Sequence, residues 1–200
     1  MIAIIDYGMG NLRSVQKAFE KVGAKTKVTH NAGDIVNADK VVLPGVGAMA
    51  PAMEKLQELG LIDSIRKVTR EGKPFLGICL GLQLLFESSS EGGHVEGLKI
   101  VPGTVERFTA LKVPHMGWNQ ISVQRAGRIM FKDIINEENV YFCHSFYVKP
   151  KDASIISSIT NYGIDYASAI VQGHLWGVQF HPEKSQTIGL NILKNFVELK

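Results

Sequence analysis

The sequence predicts an α/β domain with a mostly parallel central sheet flanked by helices, and with additional mixed or antiparallel strands in its second half. Three observations carry this reading. Short apolar runs alternate with helical periodicity in the first half, those runs are of the kind buried on both faces, and after Gly97 the helical spacing gives way to β-like runs punctuated by Gly and Pro.

Ile2 to Ile5 is the first strand, and Tyr7-Gly8-Met9-Gly10 the turn after it. Leu12, Val15, Phe19 and Val22 then recur at helical spacing until Gly23 stops them. Lys25 to Thr29 and Val41 to Leu43 read as two more strands, followed by a helix holding Met53 and Leu56 and another marked by Leu61, Ile62, Ile65 and Val68, ending near Gly72. Phe75 to Ile78 is a fourth, fully buried strand, leading into an apolar helix from Leu82 to Phe86. In the second half the candidate strands are Leu98 to Val101, Thr104 to Phe108, Gln120 to Val123, Val140 to Phe142, Ile155 to Ile159, Ser168 to Val171 and Leu175 to Phe180. They are expected to extend the sheet. Ser185 is placed to cap a last helix that buries Ile188, Ile192, Leu193, Phe196 and Val197.

Composition bounds the function classes. The 200 residues are 45% hydrophobic and 20% charged, the balance of a globular protein, and suit a single domain over 1–200 that leaves about 9,000 of roughly 32,000 Å² exposed. No internal repeat is present, and Gly92-Gly93 is too short to link two domains. The net charge of +3 without a dense basic block gives no reason to expect nucleic acid. The start of the chain lacks the basic region of a signal peptide, and no run approaches the ~20 apolar residues that cross a bilayer. The two cysteines, Cys79 and Cys143, have neither CxxC spacing nor a secretory context. The expected compartment is the cytoplasm, with no membrane partner.

Gly77-Ile78-Cys79-Leu80-Gly81 joins the fourth strand to a helix in the manner of a nucleophile elbow with cysteine in the reactive position. Such a nucleophile sits on strained backbone, and side chains two residues to either side would collide with neighbouring segments, so glycine is needed there. Unpaired N–H groups at the helix start favour the thiolate. Alone, a cysteine among glycines is more often a small buried residue. His181-Pro182-Glu183, just after the strand from Leu175, alters that balance. In extended chain, residues two apart point the same way, so imidazole and carboxylate emerge together. A thiol needs a base that later returns the proton to a leaving amine, and the base needs an orienting carboxylate. Cys79, His181 and Glu183 are therefore the expected triad. Gly45, Val46 and Gly47 follow the third strand, where backbone N–H groups can join that of Leu80 in an oxyanion hole. Cys143, whose neighbours form the Val140 to Phe142 run, is expected to be buried. Gly8-Met9-Gly10 lacks the third glycine of a dinucleotide fingerprint, and His174 and His181 lack zinc-like spacing, so neither cofactor nor metal is indicated.

In this order and spacing, these motifs resemble the class I glutamine amidotransferases. Pro114-His115-Met116-Gly117-Trp118-Asn119, Tyr141-Phe142-Cys143-His144-Ser145-Phe146 and Gln179-Phe180-His181-Pro182-Glu183-Lys184-Ser185 are similar, more narrowly, to the glutaminase subunits of imidazole glycerol phosphate synthase. The resemblance implies a flavodoxin-like fold, attack of Cys79 on the side-chain amide of glutamine, a glutamyl thioester, and release of ammonia. It implies that Gln83 and the Ser145-Phe146 backbone hold substrate glutamine. It also implies a heterodimer with a (β/α)₈ barrel cyclase that receives the ammonia, contacted near Asn11, Met116, Trp118 and Lys184. Phe146-Tyr147 departs from relatives that often carry Tyr followed by Arg. Two alternatives stay open: the glutaminase subunit of another amidotransferase, such as pyridoxal phosphate synthase, and a stand-alone Cys-His-Glu hydrolase.

Overall fold

The computed structural model describes residues 1–199. Its first half runs β1 (Ile2–Ile5), α1 (Leu12–Lys21), β2 (Thr26–Thr29), α2 (Ala32–Asn37), β3 (Lys40–Gly45), α3 (Met49–Glu58), α4 (Ile62–Arg70), β4 (Phe75–Cys79) and α5 (Leu80–Leu84). The second half contains β5 (Phe86–Ser89), β6 (Val95–Glu96), β7 (Val101–Arg107), β8 (His115–Gln120), β9 (Ser122–Val123), β10 (Asn139–His144) and β11 (Phe146–Pro150). It ends with β12 (Ile156–Asn161), β13 (Asp165–Gln172), β14 (Leu175–Val178) and α6 (Gln186–Glu198).

The main sheet has the order β2-β1-β3-β4-β14-β13-β11-β7-β5-β6, with β12 also paired to β13 and β9 beyond it. From β2 to β14 the strands are parallel, and from β14 to β7 each pair is antiparallel. The registers matter for function: Gly45 lies opposite Cys79 on one side of β4, and Val178 opposite Ile78 on the other. The carboxyl ends of β3, β4 and β14 thus meet, which is where open α/β sheets place their sites.

All five residues of β4 are buried because both faces of the sheet are covered. Ile5, Leu43 and Phe75 pack with Leu56, Ile65 and Val68 from α3 and α4. Ile4, Leu76 and Ile78 pack on the opposite face with Phe19 of α1 and Ile192 and Phe196 of α6. The accessible surface, 9187 Å², is close to that expected from chain length.

Several boundaries depart from the sequence reading. Gln120 and Val140–Phe142 do not extend the main sheet, whereas Ser122–Val123 joins it as β9 through β12. β8 and β10 form a separate antiparallel ribbon whose inner side, His115, Phe142 and His144, is buried while Met116 and Trp118 face outward. Residues 98–100 are not strand, because the Leu98 and Ile100 N–H groups bond the Leu84 and Leu85 carbonyls, which the end of α5 leaves open. That helix covers Leu80–Leu84, and Phe86 begins β5. Ile155 closes a 3₁₀ turn capped by Asp152. Strand β14 stops at Val178, although the Gln179 N–H still bonds the Ser168 carbonyl at 2.9 Å.

The glycines flanking Cys79 are sites of backbone contact. A Cβ at Gly81 would overlap the Leu43 carbonyl oxygen, and one at Gly77 would lie 2.8 Å from the Gly81 carbonyl oxygen. Gly81→Ala is expected to destabilise by about 1–3 kcal/mol, lowering the thermal midpoint by roughly 3–10 °C. Gly10→Ala, whose Cβ would meet only side-chain atoms at 3.4 Å or beyond, is expected to change it little. Scanning calorimetry giving both variants the same midpoint contradicts this account.

Candidate active site

Cys79 ends β4 with φ 54° and ψ −109°, a left-handed conformation for a residue with a side chain. Such backbone costs on the order of 1–3 kcal/mol and persists where its surroundings fix it. Here the close crossing of α5 over Leu43 and Gly77 does so. Cys79 is only 5% exposed.

The chain after β14 carries the imidazole over the sulfur. The His181 N–H bonds the Tyr141 carbonyl at 2.9 Å, tying this segment to β10. Residues Pro182–Lys184 then form a 3₁₀ turn. The pairing of His181 with Glu183 therefore arises from a tight turn and not from the extended chain expected from sequence, since Pro182 at the first turn position favours the 3₁₀ start. His181 Nδ1 meets Glu183 Oε1 at 2.9 Å, with both side chains nearly inaccessible. A carboxylate accepts, so Nδ1 carries a proton and Nε2 is left for the sulfur. Ser185 stands at the start of α6, but it caps no N–H there. Its hydroxyl donates to the His181 carbonyl at 2.6 Å and accepts from the Tyr141 N–H at 3.0 Å, bracing the turn.

Burial alone would push the His181 imidazole down, yet its bonds to Cys79 and Glu183 outweigh burial and raise it to about 10. Both partners favour the protonated ring. Tyr7 also faces this site: its hydroxyl is buried without a hydrogen-bond partner, and burial followed by the Cys79 charge pushes it up. A Cβ on Gly45 would overlap that hydroxyl and come 3.0 Å from Leu80 Cβ, so the segment holding Gly45, Val46 and Gly47 approaches Cys79 closely only because residue 45 is glycine. Val46 is 40% exposed, and Gly47 has φ +98°, which glycine adopts freely.

Gln83 is buried, and its Nε2 donates to the Phe146 carbonyl at 3.0 Å and to Gln179 Oε1 at 3.1 Å. Gln179 Nε2 in turn lies 3.7 Å from Cys79 Sγ. The Ser145 carbonyl is taken by the Phe108 N–H at 3.1 Å. His144 Nδ1 meets the Phe146 carbonyl at 2.7 Å, and His144 Nε2 meets His115 Nδ1 at 3.1 Å. Sequence reasoning gave no role to Tyr7, Gln179, His115, His144 or Tyr166. Four of these stand within or beside the motifs, Tyr166 being the exception, but long-range pairing across β8, β10 and β13 leaves no local pattern.

Met116 (62% exposed) and Trp118 (49%) share the outer face of the β8–β10 ribbon. Trp118 meets the Tyr141 ring edge-on at 6.0 Å, and Lys184 Nζ stands 5.6 Å from the centre of that ring. Asn11 is exposed at the start of α1. Cys143 departs from expectation: it is half-buried, because alternation along β10 puts it on the outer side with Tyr141, opposite Met116. A groove of about 680 Å³ lined by Arg66, Arg70, Lys99 and Leu175 lies at the far, amino end of β14, away from Cys79. Among the described residues no cluster of His, Cys, Asp or Glu could hold a metal ion, and no helix is long and apolar enough to cross a membrane.

Burial lowers His115 to about 4 and His144 to about 3. Their folded values lie below the ordinary 6.5, so they contribute stability above that pH which is lost as pH falls toward the folded values. His181 does the reverse, contributing below 6.5 and losing that contribution as pH rises through about 10. Urea titrations between pH 6.5 and 4.5 are expected to show stability falling with a slope approaching two protons. A flat profile across that interval contradicts the burial of two neutral imidazoles.

The Glutamine amidotransferase class-I family model matches residues 3–199. The chain is 54% identical over 199 residues to "Imidazole glycerol phosphate synthase subunit HisH" of Moorella thermoacetica, covering 99% of this chain and 94% of the relative. It is 45% identical over 205 residues to "Imidazole glycerol phosphate synthase hisHF, chloroplastic" of Arabidopsis thaliana, covering 100% of this chain and 34% of that one. A solved structure described as a crystal structure of glutamine amidotransferase superposes with a TM-score of 0.79 at 18% identity, covering 100% of this chain and 98% of that one, and shares the fold. This chain belongs to the class-I glutamine amidotransferases and, within them, to the HisH family of imidazole glycerol phosphate synthase subunits.

Proposed function

We propose that Cys79 is the nucleophile of a glutaminase site, that His181 is its acid and base, and that Glu183 holds His181 charged. The chain is the glutaminase subunit of imidazole glycerol phosphate synthase, which releases ammonia from glutamine for the cyclase reaction of histidine biosynthesis. The observation that carries the catalytic assignment is the buried imidazole held at 2.9 Å by Glu183 beside the Cys79 sulfur, two partners that both favour its charged form. A sulfur facing an imidazolium attacks as thiolate, so no separate base is needed for the first step.

The thiolate adds to the side-chain carbon of glutamine, and the oxyanion takes backbone N–H groups from the Gly45–Val46–Gly47 segment and Leu80. As the intermediate collapses, His181 Nε2–H protonates the departing nitrogen and ammonia leaves. The neutral imidazole then takes a proton from water as it attacks the thioester, and glutamate is released. Gln83, Ser145 and Phe146 line the substrate end. Residues 1–200 work as one amidotransferase domain in the cytoplasm, in keeping with two free cysteines. The partner is a (β/α)₈ barrel cyclase, docked on the face formed by Met116, Trp118 and Lys184 with Asn11 beside it. An outward Met and Trp beside a Lys–Tyr contact make the aromatic, charged-rim surface typical of an interface core.

Cys79→Ala is expected to abolish glutamine hydrolysis while leaving the thermal midpoint within a few degrees, since little volume is lost. Glu183→Gln still holds the ring but cannot stabilise its charge, so kcat should fall by about 10²–10⁴. His181→Ala should fall further. Steady-state glutamate release checks all three, and equal rates for the His181 and Glu183 variants contradict their roles. Trp118→Ala is expected to reduce activity measured with the cyclase and its nucleotide ligand by about tenfold or more. Unchanged stimulation in that assay contradicts the docking face.

A further inference from the structure

We infer that Gln179 is the hydrogen-bond donor that holds the Cys79 sulfur, with its amide oriented by Gln83, whose own nitrogen is fixed as a donor by the Phe146 carbonyl. The inference rests on the reading of Cys79 as nucleophile and adds a residue to that site.

The direction of these hydrogen bonds follows from one group that can only accept. The Phe146 carbonyl lies 2.7 Å from His144 Nδ1 and 3.0 Å from Gln83 Nε2, so both nitrogens donate to it. Gln83 Nε2 has a second hydrogen, and at 3.1 Å it meets the side-chain amide of Gln179. The group it meets must be the Gln179 oxygen. The opposite orientation would set two NH₂ groups against each other in a site where Gln179 is fully buried. With Oε1 fixed there, Nε2 of Gln179 faces Cys79 Sγ at 3.7 Å, within reach of an N–H···S bond.

The other branch is equally determined. With a proton on Nδ1, neutral His144 accepts at Nε2, so His115 donates from Nδ1 at 3.1 Å. His115 Nε2 then accepts from Asn119 Nδ2 at 3.3 Å, and Asn119 also donates to the Asn161 carbonyl at 2.9 Å. The Tyr166 hydroxyl lies 3.3 Å from both nitrogens of the histidine pair. Both imidazoles are depressed by burial and remain neutral, which this pattern of donors requires.

At the sulfur the donors and acceptors oppose one another. The Cys143 carbonyl from β10, 3.9 Å away, accepts from a thiol and disfavours a thiolate. His181, backed by Glu183, and the Gln179 amide favour the thiolate, and the Tyr7 and Tyr166 hydroxyls complete the titratable groups that feel its charge. Gln179 is thus the one uncharged side-chain donor that the described residues place on Sγ.

The test is the pH profile of Cys79 alkylation by iodoacetamide in the whole chain, resolved from Cys143 by peptide mass spectrometry. Gln179→Met, which keeps length and removes the donor, is expected to move the midpoint up by about one pH unit or more and so to slow alkylation about tenfold at pH values below both midpoints. Gln179→Glu is expected to move it further in the same direction. In the unmutated chain, labelled with ¹⁵N-glutamine, the Gln179 side-chain NH₂ signals are expected to shift through the same titration. Unmoved midpoints in both variants, or NH₂ signals that stay fixed in the unmutated chain, overturn the inference. A chain alkylated at Cys79 that still hydrolyses glutamine overturns the nucleophile instead, so the two failures are distinguishable.

Discussion

The left-handed backbone of Cys79 is the constraint from which the site is built. A strand that must turn into a helix within one residue presents that residue's side chain at the sheet's carboxyl edge, but only if the helix crosses the neighbouring strand at backbone distance. Gly77 and Gly81 permit the crossing, and Gly45 lets the adjacent strand end lie against it. The sheet order supplies the rest: β14 returns parallel to β4, so the residues that follow it arrive beside the sulfur. Strain at Cys79, of order 1–3 kcal/mol, is small beside the burial of the strands on either side.

Two kinds of histidine lie near one another and differ because their partners differ. His181 has a carboxylate and a sulfur, and it stays charged despite burial. His144 and His115 have a carbonyl, an amide and each other, and burial keeps them neutral. The first arrangement suits the proton transfers proposed for His181; the second fixes direction, because a neutral imidazole passes hydrogen-bond polarity from one side to the other. The β8–β10 ribbon carries the neutral pair on its inner face and presents Met116 and Trp118 on its outer face.

The parallel half of the sheet was legible because its strands are buried on both faces and its helices carry regular apolar spacing, as in Val15, Ala18 and Phe19. Short pieces escaped: α2 has six residues and β6 two, below the length at which periodicity shows. The ribbon was misread as part of the sheet, since alternation in Val140 and Phe142 records a buried face without recording which sheet provides it. Cys79, His181 and Glu183 were visible as local motifs, although the turn that joins the last two was not. Gln179, His115 and His144 were present in recognisable segments, but their partners lie on distant strands, and nothing local reports a hydrogen bond from β8 to β10 or from Gln83 to Gln179.

The central claim is that Cys79 carries the acyl group of glutamine. The most direct measurement is acid-quenched mass spectrometry of the chain during turnover with glutamine and the cyclase. A glutamyl adduct confined to the peptide containing Cys79, forming and decaying at rates compatible with turnover, is the predicted result. Turnover with an adduct on another residue, or an adduct that forms on Cys79 too slowly to account for glutamate release, would contradict it.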